Sequence, residues 1–290
     1  MVLILASVIL ILASLEFNSI ELIKKKSPIL INKKYLPNYT AGLTFFIAVA
    51  ATNLFHQGNW QRVFSAKNNL ILKKSLIYAS VIVFSIVFWM GYAGLISFSL
   101  NPKVLPDLAF FDLVLSNNHL LIISVLVLAL ALTLSTIDTL INAISSILIV
   151  NGKEINKSIS GKSVKNKTNY IIILISILVF IIASNGFSIL YLFLLADLFC
   201  CAAVVTIFYG FFNKKIDSRL SYLSIISALI LGLLFFPSTD FQSSILVGNL
   251  MPLEFFSSII TTNLLFISFA VAIIIQLPLI IFYSLRNSLR

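Results

Sequence analysis

Apolar residues in this chain come in long runs separated by short polar stretches. The pattern predicts helices at roughly 2–16, 41–58, 76–100, 119–150, 169–184, 187–210, 220–236 and 260–283. The runs are roughly 16 to 32 residues long, and a helix needs about 20 to cross the hydrocarbon core of a bilayer. In lipid every backbone polar group needs an internal partner, so spanning segments are helices or closed barrels. A barrel strand would show alternating hydrophobicity over about ten residues, and that alternation is absent. The pattern therefore predicts an all-α membrane protein of about eight helices, a single transmembrane domain over 1–290. Ser184-Asn185-Gly186 reads as a tight, uncharged turn between two of them. The run at 2–16 lacks the basic flank and small-residue cleavage site of a signal peptide, so it reads as a weak first span.

Composition agrees. Hydrophobic residues make up 60% of the chain and charged residues 10%, with a mean hydropathy of +1.07, whereas soluble domains carry about 25% charge. The net charge of +10 does not point to nucleic acid, because the basic residues sit in short loops between apolar helices. There they orient the chain, with the Lys/Arg-rich loops cytoplasmic. Arg62, Lys67, Lys73 and Lys74 follow the second helix. Lys153, Lys157, Lys162, Lys165 and Lys167 follow the fourth, Lys214, Lys215 and Arg219 follow the sixth, and Arg286 and Arg290 end the chain. On the other side stand Lys103 and a basic-free loop with Asp240 and Glu254. This alternation predicts a multi-pass protein of the cytoplasmic membrane with its C-terminus in the cytoplasm. Lys24, Lys25, Lys26, Lys33 and Lys34 break the rule, so either the first run does not span or the chain starts abnormally. Cys200 and Cys201 are adjacent in an apolar helix and can build neither a disulfide framework nor a zinc site.

Three polar stretches interrupt the apolar runs. The first is Thr52 to Lys67. His56, Gln57, Asn59, Gln61 and Arg62 are costly in hydrocarbon, and Gly58 weakens a helix by about 1 kcal/mol relative to alanine. The stretch suits a helix that loosens partway and turns polar groups to a wet cavity, as in transporters with broken helices. It equally suits a helix end at the membrane surface with Trp60 as an interfacial anchor. The second is Leu132 to Ser146. At helical period Ser135, Asp138, Thr139, Asn142, Ser145 and Ser146 share one face. An acid at mid-membrane costs about 2.5–3.5 kcal/mol on insertion scales and marks an ion or substrate path. Hydroxyl and carbonyl oxygens are hard ligands suited to sodium, although small Ser and Thr also serve as a packing seam. Asp138 adds nothing to packing, which favours function. The third stretch holds Asp197 between Ala196 and Leu198, either on an ion path or holding the bundle together.

With these stretches the chain resembles the sodium:solute symporter family of proline, sugar, pantothenate and urea transporters. Gln61-Arg62-Val63-Phe64-Ser65-Ala66-Lys67 is similar to that family's Gln-Arg-x-x-Ala-Ala-Lys signature, departing at Ser65. The Ser135-Thr136 pair resembles its sodium-site helix, and Leu195-Ala196-Asp197-Leu198 is also typical. The resemblance runs from about Ala41 to the end. It implies the inverted-repeat bundle of the leucine-transporter type, present in part, with ion and solute near the midplane. It implies a sodium ion held by Ser135, Thr136 and the carbonyl of Leu132, where the family usually has alanine. It implies that His56, Gln57, Asn59 and Trp60 line the site of a small polar organic solute, with Asp138, Asn142 and Asp197 on the ion path or structural. Full members are longer, and the first broken helix has no counterpart here. The expectation is therefore a C-terminal portion, truncated or completed by a separate N-terminal half.

Two other functions compete. A channel-like subunit or an assembly partner without transport of its own would share the same helices. A membrane enzyme would need a His/Asp/Ser constellation, and neither His56 nor His119 belongs to one in the sequence.

Overall fold

The computed structural model describes residues 19–115, 119–155, 161–212, 217–278, 280 and 281. In chain order its helices are α1 (Ser19–Lys26), α2 (Leu36–Phe55), α3 (Gln57–Phe64), α4 (Asn69–Leu100), α5 (Ala109–Leu115), α6 (His119–Ile155), α7 (Gly161–Ser184), α8 (Ile189–Phe212), α9 (Ser218–Phe235), α10 (Ser258–Thr261) and α11 (Leu264–Ile274). Among the described residues the fold is all-helical, with no strand. Among the described residues five helical stretches are long and apolar enough to cross a membrane: α4, Ile122–Val150 of α6, Asn166–Ser184 of α7, α8 and α9. The expected span at 2–16, and Lys157, Lys214, Lys215, Arg286 and Arg290, lie outside the described residues.

The boundaries differ from expectation where polar residues take part in helix ends. α4 begins at Asn69 and not near 76, because the Asn68 carboxamide oxygen caps it by accepting the Ile71 N–H at 2.8 Å. Such a cap contributes about 1 kcal/mol. α9 begins likewise on Asp217, whose carboxylate accepts the Arg219 N–H at 3.0 Å. The expected single helix over 260–283 is divided, with α10 ending at Thr261 and α11 beginning at Leu264. The turn at 184–186 is as read: Gly186 has φ +70°, and its N–H bonds the Ala183 carbonyl at 3.2 Å.

The chain divides into two compact units. The described residues within 1–31 and 57–186 form one. In it α1 and α5 pack on α4, with Ile23, Ala93, Ile96 and Leu113 buried together. The buried Ser97 hydroxyl of α4 donates to the Asp112 carboxylate of α5 at 3.1 Å. α6 and α7 pair, and α3 also touches α6. Their outer faces are apolar and open, Phe84 and Phe180 being over 70% exposed. That suits lipid, since a monomer in water rarely exposes so much apolar surface.

The described residues within 32–56 and 187–290 form the other unit. Here α2, α8, α9 and α11 enclose a core of Ala48, Ala51, Leu194, Leu198, Cys201, Ala202, Ala228, Phe236, Phe269 and Ala272. Small side chains dominate it and let backbones approach, the usual means of packing helices in lipid. The helices approach closely at Gly232, where an added Cβ would stand 3.0 Å from Leu198 Cδ1 and 3.2 Å from Ala272 Cβ. The Ser268 hydroxyl crosses the same contact to the Gly232 carbonyl at 2.8 Å.

Candidate functional site

The polar stretch after residue 52 breaks the helix. The Asn53 side-chain amide turns back to the Val49 carbonyl at 2.8 Å, and the His56 N–H reaches only as far as Asn53 O, at 3.3 Å. His56 itself is extended, with φ −73° and ψ 104°. Helix resumes as α3 at Gln57, with Gly58 buried and Gln57, Asn59 and Trp60 half-buried. The helix expected over 41–58 is thus two elements with one non-helical residue between them. The discontinuity anticipated from Gly58 falls two residues earlier, on the histidine. His56 Nδ1 is buried and has no hydrogen-bond partner among the described residues. The Trp60 ring packs on Phe64, centroids 6.2 Å apart.

The hydroxyl stripe lies on α6. Thr136 Oγ1 donates to the Leu132 carbonyl at 2.8 Å, and Thr139 Oγ1 donates to the Ser135 carbonyl at 2.9 Å. Thr136 and the Leu132 carbonyl, two of the three expected sodium ligands, therefore already touch. The Thr136 hydroxyl oxygen retains acceptor capacity, whereas the Leu132 carbonyl, which as a helical carbonyl also takes the Thr136 N–H, has both of its lone pairs engaged. Leu132, Ser135, Thr136, Asp138 and Asn142 are all exposed on this helix, and Ser145 and Ser146 are half-buried. Within the same unit α3, which carries Gln57, Asn59 and Trp60, packs against α6.

Asp197 lies in the other unit, on α8, 7% exposed. Its carboxylate accepts a hydrogen bond from the Thr52 hydroxyl of α2, and the Cys200 thiol reaches the same hydroxyl. His56 follows Thr52 by four residues, one turn on. The sequence flagged Asp197 without its partner, because Thr52 reads as an ordinary small residue in an apolar helix. Gln276, wholly buried just beyond the end of α11, belongs to none of the three polar stretches. Its signal was a carboxamide in an otherwise apolar run.

No model of a known protein family matches this chain, and no curated protein and no solved structure matches it. The site's chemistry therefore rests on its own atoms. In the first unit α6 offers hydroxyls, carbonyls and the Asp138 carboxylate, oxygen donors that suit a hard cation, and α3 offers carboxamide and indole groups that suit a polar organic molecule, while the His56 imidazole and the Asp197 carboxylate belong to the second unit.

Proposed function

We propose that this chain takes part in sodium-coupled symport of a small polar organic solute across the cytoplasmic membrane. The observation that carries the reading is the helix break at His56, with α3 resuming against the hydroxyl-bearing α6. Interrupted helices beside oxygen-rich faces are where membrane transporters hold solute and ion. The resemblance of Gln61 to Lys67 and of Ser135-Thr136 to the sodium:solute symporters supports it further. Ser135, Thr136 and the Leu132 carbonyl hold sodium. His56, Gln57, Asn59 and Trp60 face the solute. Sodium binding favours an outward-open state, and release inside lets the protein return, which requires different sodium affinity in the two states.

A second reading is an assembly partner or channel-like subunit without transport of its own. The exposure of Asp138 and Asn142 on a helix long and apolar enough to span favours it, because a carboxylate left to lipid is costly and invites cover by another polypeptide.

Uptake assays in membranes containing the chain and any partner that copurifies with it test the first reading. Labelled proline, urea and a sugar serve as probes. Saturable uptake that needs sodium supports symport, and Thr136→Ala is expected to raise the sodium concentration for half-activation about tenfold or more, a loss of about 1.4 kcal/mol, at equal expression. Unchanged sodium activation in Thr136→Ala removes the sodium assignment. Ungated conductance supports the pore.

A further inference from the structure

A cavity of about 210 Å³ lies within the second unit, where α2 and α11 begin and the chain leaves α9. Its wall includes residues of the first turns of α2, the break between α10 and α11, and the loop after α9. No charged side chain lines it among the described residues. It shares no residue with the solute site proposed above and does not depend on that reading.

The helix break makes part of the wall polar. Asn263, 8% exposed, sits between α10 and α11. Its Nδ2 donates to the Ile259 carbonyl at 2.7 Å, and its Oδ1 accepts the Thr40 hydroxyl of α2. The carboxamide is engaged in joining these elements and gives α11 no side-chain cap. A helix start without a cap leaves its first N–H groups without intrahelical partners. Those of α11 belong to Leu264, Leu265 and Phe266, all at the cavity wall.

Two threonines supply the opposite character. The buried Thr44 hydroxyl donates to the Thr40 carbonyl at 2.7 Å, and the Thr261 hydroxyl donates to the Ser258 carbonyl at 3.1 Å. A hydroxyl has one proton and two lone pairs, so both oxygens remain at the wall as acceptors only. Phe241 completes an apolar side. It holds a left-handed conformation, φ +60°, which a bulky residue keeps only where its surroundings enforce it. Its N–H bonds the Ser238 carbonyl at 2.9 Å, and its ring meets Tyr191 edge-on, centroids 6.1 Å apart.

We propose that this cavity binds a small uncharged carboxamide, whose carbonyl takes N–H groups at the start of α11 and whose own N–H gives to the threonine hydroxyl oxygens. A carboxylate brings acceptors alone and leaves those oxygens unmet. An ammonium brings donors alone and sets its charge against the α11 N–H groups. A neutral amide satisfies both, with its carbon end on Phe241 and Phe266. The volume lies between the roughly 150 Å³ that holds a benzene-sized molecule and the roughly 300 Å³ of the smaller drug-sized pockets.

Trifluoroacetamide is the probe, titrated into the full chain in lipid nanodiscs and read by broadening of its fluorine NMR line. Broadening is expected to saturate in the parent. Ala41→Phe, at an exposed position on the wall, should abolish the saturable part. Thr44→Val should weaken binding about fivefold, the loss expected for one hydrogen bond. N,N-dimethyltrifluoroacetamide brings no N–H and should bind the parent more weakly than trifluoroacetamide. No saturation in the parent, saturable broadening that survives Ala41→Phe, or equal affinity for the two amides overturns the proposal. Tighter binding of trifluoroacetate or of trifluoroethylammonium also overturns it, since the site is then one for an anion or a cation. If Ala41→Phe does not fold, Thr44→Val decides, and unchanged affinity in it overturns the proposal.

Discussion

A buried carboxylate with a single hydroxyl donor makes Thr52 worth more than its size. Thr52→Val keeps the shape and leaves the Asp197 oxygen without its donor. It is expected to destabilise the protein by about 1–3 kcal/mol, read as a lowered midpoint of unfolding in detergent. Asp197→Asn keeps an acceptor for the same hydroxyl and should cost less. Equal losses in the two would contradict the assignment of Thr52 as donor. At this scale the sequence was legible for chemistry and blind to partners. Asp197, His56 and Ser135-Thr136 stand out because polar groups are expensive in an apolar run. Nothing in the spacing says that residue 52 meets residue 197, or that Gln276 reaches two groups of α8, because such pairings arise from helix packing and carry no periodicity.

Among elements, the close approach of α8, α9 and α11 at Gly232 predicts sensitivity to small additions. Gly232→Ala gains about 1 kcal/mol of helix propensity but forces a Cβ against Leu198 and Ala272. Overpacking costs about 1–3 kcal/mol. Leu198 can swing its terminal methyl away, whereas the Ala272 Cβ is fixed to its backbone. The expected net result is a loss of about 1 kcal/mol, and Gly232→Val should lose more. Thermal unfolding checks both, and a more stable Gly232→Val would refute the contact. The loop after α9 carries a pH signature. Asp240 is exposed, and the Ser238 hydroxyl, then the Gln242 N–H at 3.1 Å, hold its carboxyl below the usual carboxylate range. A depressed value means the turn is favoured above the ordinary carboxylate pKa and loses that contribution as pH falls through the lower folded value. The Gln242 amide resonance should therefore shift only in acid below the ordinary carboxylate range. A shift at or above that range would contradict the turn. Long helices were plain from the apolar runs, since twenty such residues have few alternatives. Their ends were not, because caps such as Asn68 and Asp217 act through one side chain each.

For the whole molecule, the five helices among the described residues that are long and apolar enough to span a bilayer suggest a multi-pass membrane protein. Single cysteines placed near Lys67 and near Asp240, in a chain without Cys200 and Cys201, should label from opposite faces of sealed vesicles. Labelling from the same face would undo the orientation read from the lysines. The inverted-repeat arrangement and the identity of the solute belong to a level that hydropathy does not encode. They depend on which polar faces meet, and those meetings are set by a few residues against a uniform apolar background.

The symport reading stands on the oxygen-rich face of α6 lining a hydrated cation route. Cysteines at Ser135 and Asn142, compared with Ile137 and Leu140 on other faces of the same helix, measure this directly in native membranes. A small water-soluble methanethiosulfonate should modify the first pair and spare the second, and sodium, not choline, should slow the reaction at position 135. Four positions that react alike, or a reaction at 135 indifferent to sodium, would contradict it.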